Sequence, residues 1–178
     1  PLLSENNPDA IFLIITNPVD VMTRVALTLS GLPAQQVIGS GTVLDTARFR
    51  TLISLHCRIL PRHVHAVVIG EHGDSEVMVW SRASIGTYRV SEYCNYVGIP
   101  LTAEDIERIH SDVRTAAYKI IDRKGATHFA IGVATNMIAQ ALSTNENPMY
   151  TVSRRCAGIS GLQDVCLSVP TLLHKLGD

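Results

Sequence analysis

Six consecutive apolar residues, Ala10 to Ile15 (AIFLII), carry no polar alternation and stop abruptly at Thr16-Asn17-Pro18. A strand with one wet face alternates; a run this short and this uniformly apolar is the pattern of a parallel strand covered on both sides. From Asp20 onward Val21, Val25 and Leu29 recur at helical spacing until Gly31 and Pro33 end the pattern. A second short strand follows at Val37-Ile38, closed by Gly39-Ser40-Gly41. Strand, helix and strand in about 30 residues make a right-handed parallel crossover, the unit of doubly wound α/β sheets. Such sheets bind ligands beyond the carboxyl ends of their strands.

Downstream, residues 45–57 read as a helix with Leu44, Ala47 and the Leu52/Ile53 pair on one side, and Ala66 to Ile69 reads as a strand. The chain is irregular from Trp80 through Gly86. Thr102 then caps a long helix with the buried stripe Ile106, Ile109, Val113, Ala117 and Ile120, and Asp105 completes a capping box. Gly125 ends it, a further helix runs from about Thr127 to Leu142, and strands are expected at residues 150–152 and 165–169.

Bulk properties narrow the function. With 46% hydrophobic and 17% charged residues the chain is globular. Its 15 basic and 16 acidic side chains leave a net charge of -1, so there is no field to recruit nucleic acid or an anionic membrane. No stretch approaches the roughly 20 apolar residues that span a bilayer. Cys57, Cys94, Cys156 and Cys166 are far apart and form no C-x-x-C pair, which argues against a zinc ribbon and reads as free thiols in a reducing cytoplasm. Pro1 replaces an initiator Met, and the first residues read as the tail of an element, so a fragment is expected.

Three polar groups fall just after strand ends: Asn17, Ser40 and, after Val67-Val68-Ile69-Gly70, His72. Asp45 and Arg48 share a helix face by their i, i+3 spacing. An aspartate bonded to a histidine fixes its tautomer and favours the imidazolium, making a proton donor and acceptor near neutral pH. An arginine fork matches a carboxylate in a bidentate way. Together they describe a site for a carboxylate substrate that gains or loses a proton at an adjacent carbon–oxygen centre, as a 2-keto acid does.

Each residue also has a plain structural reading. His72 alone suits a satisfied structural histidine, Arg48 a surface charge, Asp45 or Thr127 a helix N-cap, and Ser40 a glycine-rich turn. His63-Val64-His65 has a spacing used by metal hydrolases, with Asp45, His72 or Asp74 to complete a ligand set. No third ligand follows in a recognisable spacing, and no metal is expected.

Four segments together carry a family resemblance: Asn17-Pro18-Val19-Asp20, Gly39-Ser40-Gly41, Leu44-Asp45-Thr46-Ala47-Arg48-Phe49-Arg50 and Gly70-Glu71-His72-Gly73-Asp74-Ser75. Their order and spacing resemble the signature segments of the L-lactate dehydrogenases, over essentially the whole chain. The resemblance implies an α/β fold: the last part of a doubly wound NAD-binding sheet in residues 1–41, then an α+β catalytic domain in residues 42–178. It implies His72 as general acid/base, Asp45 as its orienting partner and Arg48 as the grip on the substrate carboxylate. Asn17 would meet the carbonyl oxygen and the cofactor ribose, Ser40 the nicotinamide side, and Thr127 the substrate pocket. NAD is the implied cofactor, pyruvate and lactate the implied substrates, and a homotetramer the implied assembly. Malate dehydrogenases of the related type share His72, Asp45 and Arg48 and remain the alternative.

Arg50 and His65 match positions that bind fructose 1,6-bisphosphate in allosteric bacterial members; a solvated helix cation and a locally paired strand histidine are the plain alternatives. The chain has no G-x-G-x-x-G turn, and the family's mobile loop and final helix would lie upstream of Pro1 and beyond Asp178. The expectation is that the 178-residue chain binds NAD poorly, turns over negligibly, exposes apolar strands at residues 10–15 and 37–38, and is marginally soluble.

Overall fold

A computed structural model of the chain describes residues 2–158, 161–162 and 164–174. A short helix, α1 (Leu2–Asn6), precedes β1 (Phe12–Ile14), α2 (Val19–Ser30) and β2 (Val37–Gly39). β1 and β2 pair in parallel, Phe12 opposite Val37 and Ile14 opposite Gly39, as the uniformly apolar runs require.

The strand at Val37-Ile38 is not left bare. Val37 is fully buried, and Ile38 packs into a core cluster with Ala134, Ile138 and Ala141 of α6 (Phe129–Ser143). On its other side β2 approaches α2 so tightly that a Cβ on Gly39 would meet Thr23 Oγ1 at 2.3 Å. β1 is half-buried along its length.

α2 turns a different face inward than its apolar spacing suggests. Val21, Val25 and Leu29 point to solvent, while Val19, Thr23 and Leu27 are buried with Asp20. Thr23 can go inside because its hydroxyl donates to the Val19 carbonyl within the helix (2.7 Å). Gly31 ends α2 at φ +68, a left-handed conformation that glycine adopts without steric cost.

The sheet then continues with distant chain. β8 (Met149–Cys156) joins the free edge of β2 in antiparallel fashion through Gly39 and Ser153, and β9 (Val165–Leu172) pairs with β8 along all eight residues. The order β1-β2-β8-β9 makes one mixed sheet that joins the N-terminal parallel pair to the C-terminal hairpin.

Between the two halves lie α3 (Val43–His56), β3 (Val64–His65), β4 (Val68–Ile69), β5 (Val77–Met78), β6 (Ser84–Ile85), β7 (Tyr88–Arg89), α4 (Val90–Tyr96) and α5 (Ala103–Lys124). Of the strand expected over residues 66–69 only Val68–Ile69 forms, as β4 paired with β5; a separate two-residue strand just before it, β3, pairs with β6. Phe49 and Ile53 of α3 are the centre of the second core, packed with Val64, Val68, Ile85, Ile109 and Val113. Phe49 meets the Trp80 ring edge-on at 4.8 Å. On α5, Ile109 and Val113 are buried while Ile106, Ala117 and Ile120 are half-covered at its flank. The capping box forms as expected: Asp105 N–H donates to Thr102 Oγ1, and Thr102 N–H to Asp105 Oδ2.

Candidate active site

The parallel register of β1 and β2 puts residues 15–17 and 40–41 side by side beyond the strand ends, and the Ser40 N–H donates to the Ile14 carbonyl (2.8 Å). The chain turns straight from Ser40 into α3. Asp45 does not cap that helix: α3 begins at Val43, with Thr42 at the N-cap position and Asp45 in the first turn. Thr42 spends its hydroxyl on β4 instead, donating to the Val68 carbonyl (2.6 Å), and Thr46 Oγ1 accepts from the Val68 N–H (2.9 Å). These two buried bonds fix the first turn of α3 beside β4.

β4 leads to the histidine. Gly70, at φ +94, exchanges two backbone hydrogen bonds with Ser168 of β9 (2.9 and 2.8 Å), so the turn after β4 is anchored to the large sheet. The His72 N–H then donates to Asp20 Oδ2 at the start of α2 (2.8 Å). A glycine-flanked turn lets the backbone meet both supports, and His72 emerges next to α3.

There the side chains meet. His72 Nδ1 lies 2.6 Å from Asp45 Oδ2, and Arg48 Nη1 donates to Asp45 Oδ1 (3.0 Å). The Asp45 side chain is only 4% exposed, that of Arg48 16% and that of His72 27%, so one buried carboxylate serves two cationic partners that reach toward open space. The hydrogen bond to Asp45 is the largest influence on His72 and holds its pKa above the usual histidine value, against the opposing effect of burial. The nearby carboxyls of Glu76 and Asp20 push in the same direction.

Glu76 is the residue that sequence reasoning missed. It sits four positions after His72, just before β5, and is buried to 3% exposure. Burial, then the Asp45 charge, pushes its carboxyl up to about 7, and its Oε1 has no hydrogen-bond partner among the described residues. The available signal was a second acid within one short turn of the histidine. Asp20, which orients the His72 backbone, carries no signal in the sequence beyond its place in the Asn17-Pro18-Val19-Asp20 segment.

Two cavities open onto this constellation. One, of about 200 Å³, is lined by Asn17, Ser40, Arg48, His72 and Thr127 with an apolar wall of Ile15, Leu44, Ile131 and Ala134. The other, of about 220 Å³, is lined by Asn17, Asp45, Arg48, His72, Glu76 and Arg114. Asn17, Ser40 and Thr127 thus share a cleft with the His72 group. Thr127 is not an N-cap, because α6 starts two residues later, after His128.

Arg50 and His65 lie away from it. Arg50 Nε donates to the Ala66 carbonyl (2.7 Å), Arg50 lines a separate cavity with Tyr150, and burial lowers its pKa. His65 is exposed on β3, as is His63 just before it. The ligating atoms of Asp45, His72 and Glu76 lie within 4.8 Å of one another, the sole such cluster among the described residues. Both Asp45 oxygens already serve Arg48 and His72, so the cluster is organised around a proton and a guanidinium.

No helix of the described residues is long and apolar enough to cross a membrane. Residues 42–178 match the family model described as lactate/malate dehydrogenase, alpha/beta C-terminal domain, and residues 1–39 the model described as lactate/malate dehydrogenase, NAD binding domain. The chain is 50% identical over 175 residues to an L-lactate dehydrogenase of Gloeobacter violaceus, covering 98% of this chain and 53% of that protein. An L-lactate dehydrogenase of Thermus aquaticus is 48% identical over 177 residues, 99% of this chain and 57% of that protein. The chain therefore spans about half the length of these curated relatives. Among solved structures, a lactate dehydrogenase from a Medee basin deep-sea metagenome library superposes with a TM-score of 0.88 at 43% identity, covering 93% of this chain and 52% of that one. The minor L-lactate dehydrogenase from Enterococcus mundtii, in its ligands-bound form, gives 0.87 at 42% identity, with the same coverage. From its parallel strands to its histidine turn, the chain belongs to the lactate/malate dehydrogenase family.

Proposed function

We propose that this chain carries the substrate-handling part of an NAD-dependent L-lactate dehydrogenase, with residues 1–41 closing the cofactor sheet and residues 42–178 forming the catalytic domain. The observation that carries the reading is the single buried Asp45 carboxylate bonded at once to His72 and Arg48. With Nδ1 engaged by Asp45, His72 keeps Nε2 for the substrate oxygen, giving a proton during ketone reduction and taking it back during alcohol oxidation. The Arg48 side chain makes no hydrogen bond among the described residues other than that to Asp45, so the rest of its fork is available to a substrate carboxylate. Asn17 and Thr127 line the same cleft and offer amide and hydroxyl contacts to the substrate.

The cleft also fits the cofactor's reactive ring. Its wall of Ile15, Leu44, Ile131 and Ala134 suits a flat aromatic face, while Asn17 and buried Ser40 supply polar edges. NAD, when bound, supplies or accepts the hydride at the substrate's second carbon. This chain's residues orient the carboxylate, hold the proton and bring the reacting oxygen to His72.

Regulation by fructose 1,6-bisphosphate rests on the family resemblance, supported by the bond from Arg50 to the Ala66 carbonyl, one residue beyond exposed His65. A homotetramer and a cytoplasmic setting rest on the resemblance and on the dispersed cysteines. The test is steady-state NADH oxidation by the gene product that carries these residues, with pyruvate and with oxaloacetate, alongside His72→Asn. Preference for pyruvate and loss of at least about a hundredfold in turnover in the variant are expected. Preference for oxaloacetate would make it a malate dehydrogenase, and an unimpaired variant would remove His72 from the chemistry. Activation on adding the bisphosphate, abolished in Arg50→Gln, is the expected effector response.

A further inference from the structure

Two of the four cysteines, far apart in sequence, meet in space. Cys57 closes the C-terminal end of α3, Cys94 lies within α4, and their sulfurs are 2.8 Å apart although the residues are 37 positions apart in the chain. That is closer than the roughly 3.5–4.0 Å at which even two carbons rest against each other, and less than about 1 Å beyond the ~2.05 Å sulfur–sulfur bond. Neither sulfur arrives there on a loose segment. The Cys57 N–H donates to the Ile53 carbonyl (2.9 Å) and the Cys94 carbonyl accepts from Ile99 (2.8 Å). Both side chains belong to the core around Phe49 and Ile53.

We propose that Cys57 and Cys94 are an intramolecular disulfide site, which peroxide closes into a covalent staple between α3, the helix that carries Asp45 and Arg48, and α4. The chemistry balances with hydrogen peroxide as the oxidant. One thiol sulfur attacks the peroxide and becomes a sulfenic acid, with release of one water. The second sulfur then displaces its hydroxyl; the sulfur–sulfur bond forms, the thiol proton leaves with the hydroxyl, and a second water departs. Two hydrogens and two electrons pass from the thiols to the peroxide.

Burial and the neighbouring Cys94 push the Cys57 thiol up, which keeps the reactive thiolate scarce. Both cysteines are buried, so oxidant enters as the seven-residue α4 opens locally, and closure is slow rather than immediate. Cys156 and Cys166 cannot form the same link. Cys156 stands opposite Val165 and Cys166 opposite Arg155 in the β8–β9 register, so their side chains leave opposite faces of the hairpin.

The test is to treat the folded protein with hydrogen peroxide, quench, denature, alkylate and map the peptides by mass. The expected product is lighter by two hydrogens, with Cys57 and Cys94 in one cross-linked peptide pair and Cys156 and Cys166 alkylated. Its melting temperature rises by roughly 5–15 °C and returns on reduction with dithiothreitol. Cys94→Ala, with Cys57→Ala as the reciprocal variant, abolishes both the link and the rise. Four alkylatable thiols after treatment, irreversible oxidation of either sulfur without a link, or a cross-link to Cys156 or Cys166 would overturn the proposal.

Discussion

Replacing Glu76 by Gln isolates the cost of a buried acid beside the His72–Asp45 pair. Burial and the Asp45 charge raise the Glu76 carboxyl from an ordinary 4.5 to about 7. The folded state therefore holds a proton that the unfolded chain releases near pH 4.5, and stability falls as pH rises through the interval between these values. At ~1.36 kcal/mol per tenfold change in proton affinity, the displacement corresponds to about 3 kcal/mol. Glu76 lines the 220 Å³ cavity shared with His72, and water there screens the ionised form, so about 2 kcal/mol is the working figure. Glutamine copies the shape of the protonated acid but cannot ionise. Wild type should lose about 2 kcal/mol between pH 4.5 and 7.5, or about 4–8 °C in melting temperature, and Glu76→Gln should lose that much less. Urea titrations of both proteins at the two pH values measure the difference. His72 is present in both proteins, and because the Glu76 carboxyl also raises its pKa, the difference between the two profiles reads Glu76 together with its coupling to His72. Parallel pH profiles for wild type and Glu76→Gln would refute the argument.

Two further substitutions probe the same constellation. Asp45→Asn removes the charge-assisted bond that holds His72 protonated, worth about 1.5–3 kcal/mol, so turnover should fall roughly ten- to a hundred-and-fifty-fold. The His72 pKa is raised in the fold, so its contribution to stability is complete below pH 6.5 and is lost as pH rises through the folded value. That pH dependence, and the alkaline limb of the pyruvate-reduction profile, should both move to lower pH in Asp45→Asn. An unmoved limb would show that another group carries the proton. Thr42→Val leaves the buried Val68 carbonyl without its 2.6 Å donor and should cost about 1–3 kcal/mol by denaturant titration. If it costs nothing, Thr42 does not hold α3 against β4.

The elements most legible in the chain were those whose burial is uniform or whose ends carry specific chemistry. β2 is buried at every residue and β1 pairs beside it, and both read as unbroken apolar runs; Thr102 with Asp105 marked the start of α5 because a capping box needs that spacing. α2 was legible as a helix but not in its orientation. Thr23 satisfies its own hydroxyl and goes inside, so hydrophobicity alone misplaces the buried face. β3 to β7 are two residues each and carry no measurable periodicity; α4 is hidden behind them. At the site, the grouping of His72, Asp45 and Arg48 was expected from residue type, spacing and the family resemblance, and the three side chains do meet. The roles of Thr42, Glu76 and Asp20 could not be read that way, because they arise from where β4, β5 and β9 run in space. Nor could the Cys57–Cys94 contact, which depends on how α4 packs on the end of α3.

The pairing of Gly39 with Ser153 also sets a schedule for synthesis. β2 must wait 114 positions, from residue 39 to residue 153, for the strand that completes its edge. At ribosomal rates of roughly 5–20 residues per second, that interval lasts about 6–23 s. Ile38 is without its α6 cover for nearly as long, since Ala134 and Ile138 emerge only shortly before β8. Throughout that interval the nascent parallel pair presents an open, apolar strand edge, and a chaperone bound there would substitute for sequence the ribosome has not yet delivered.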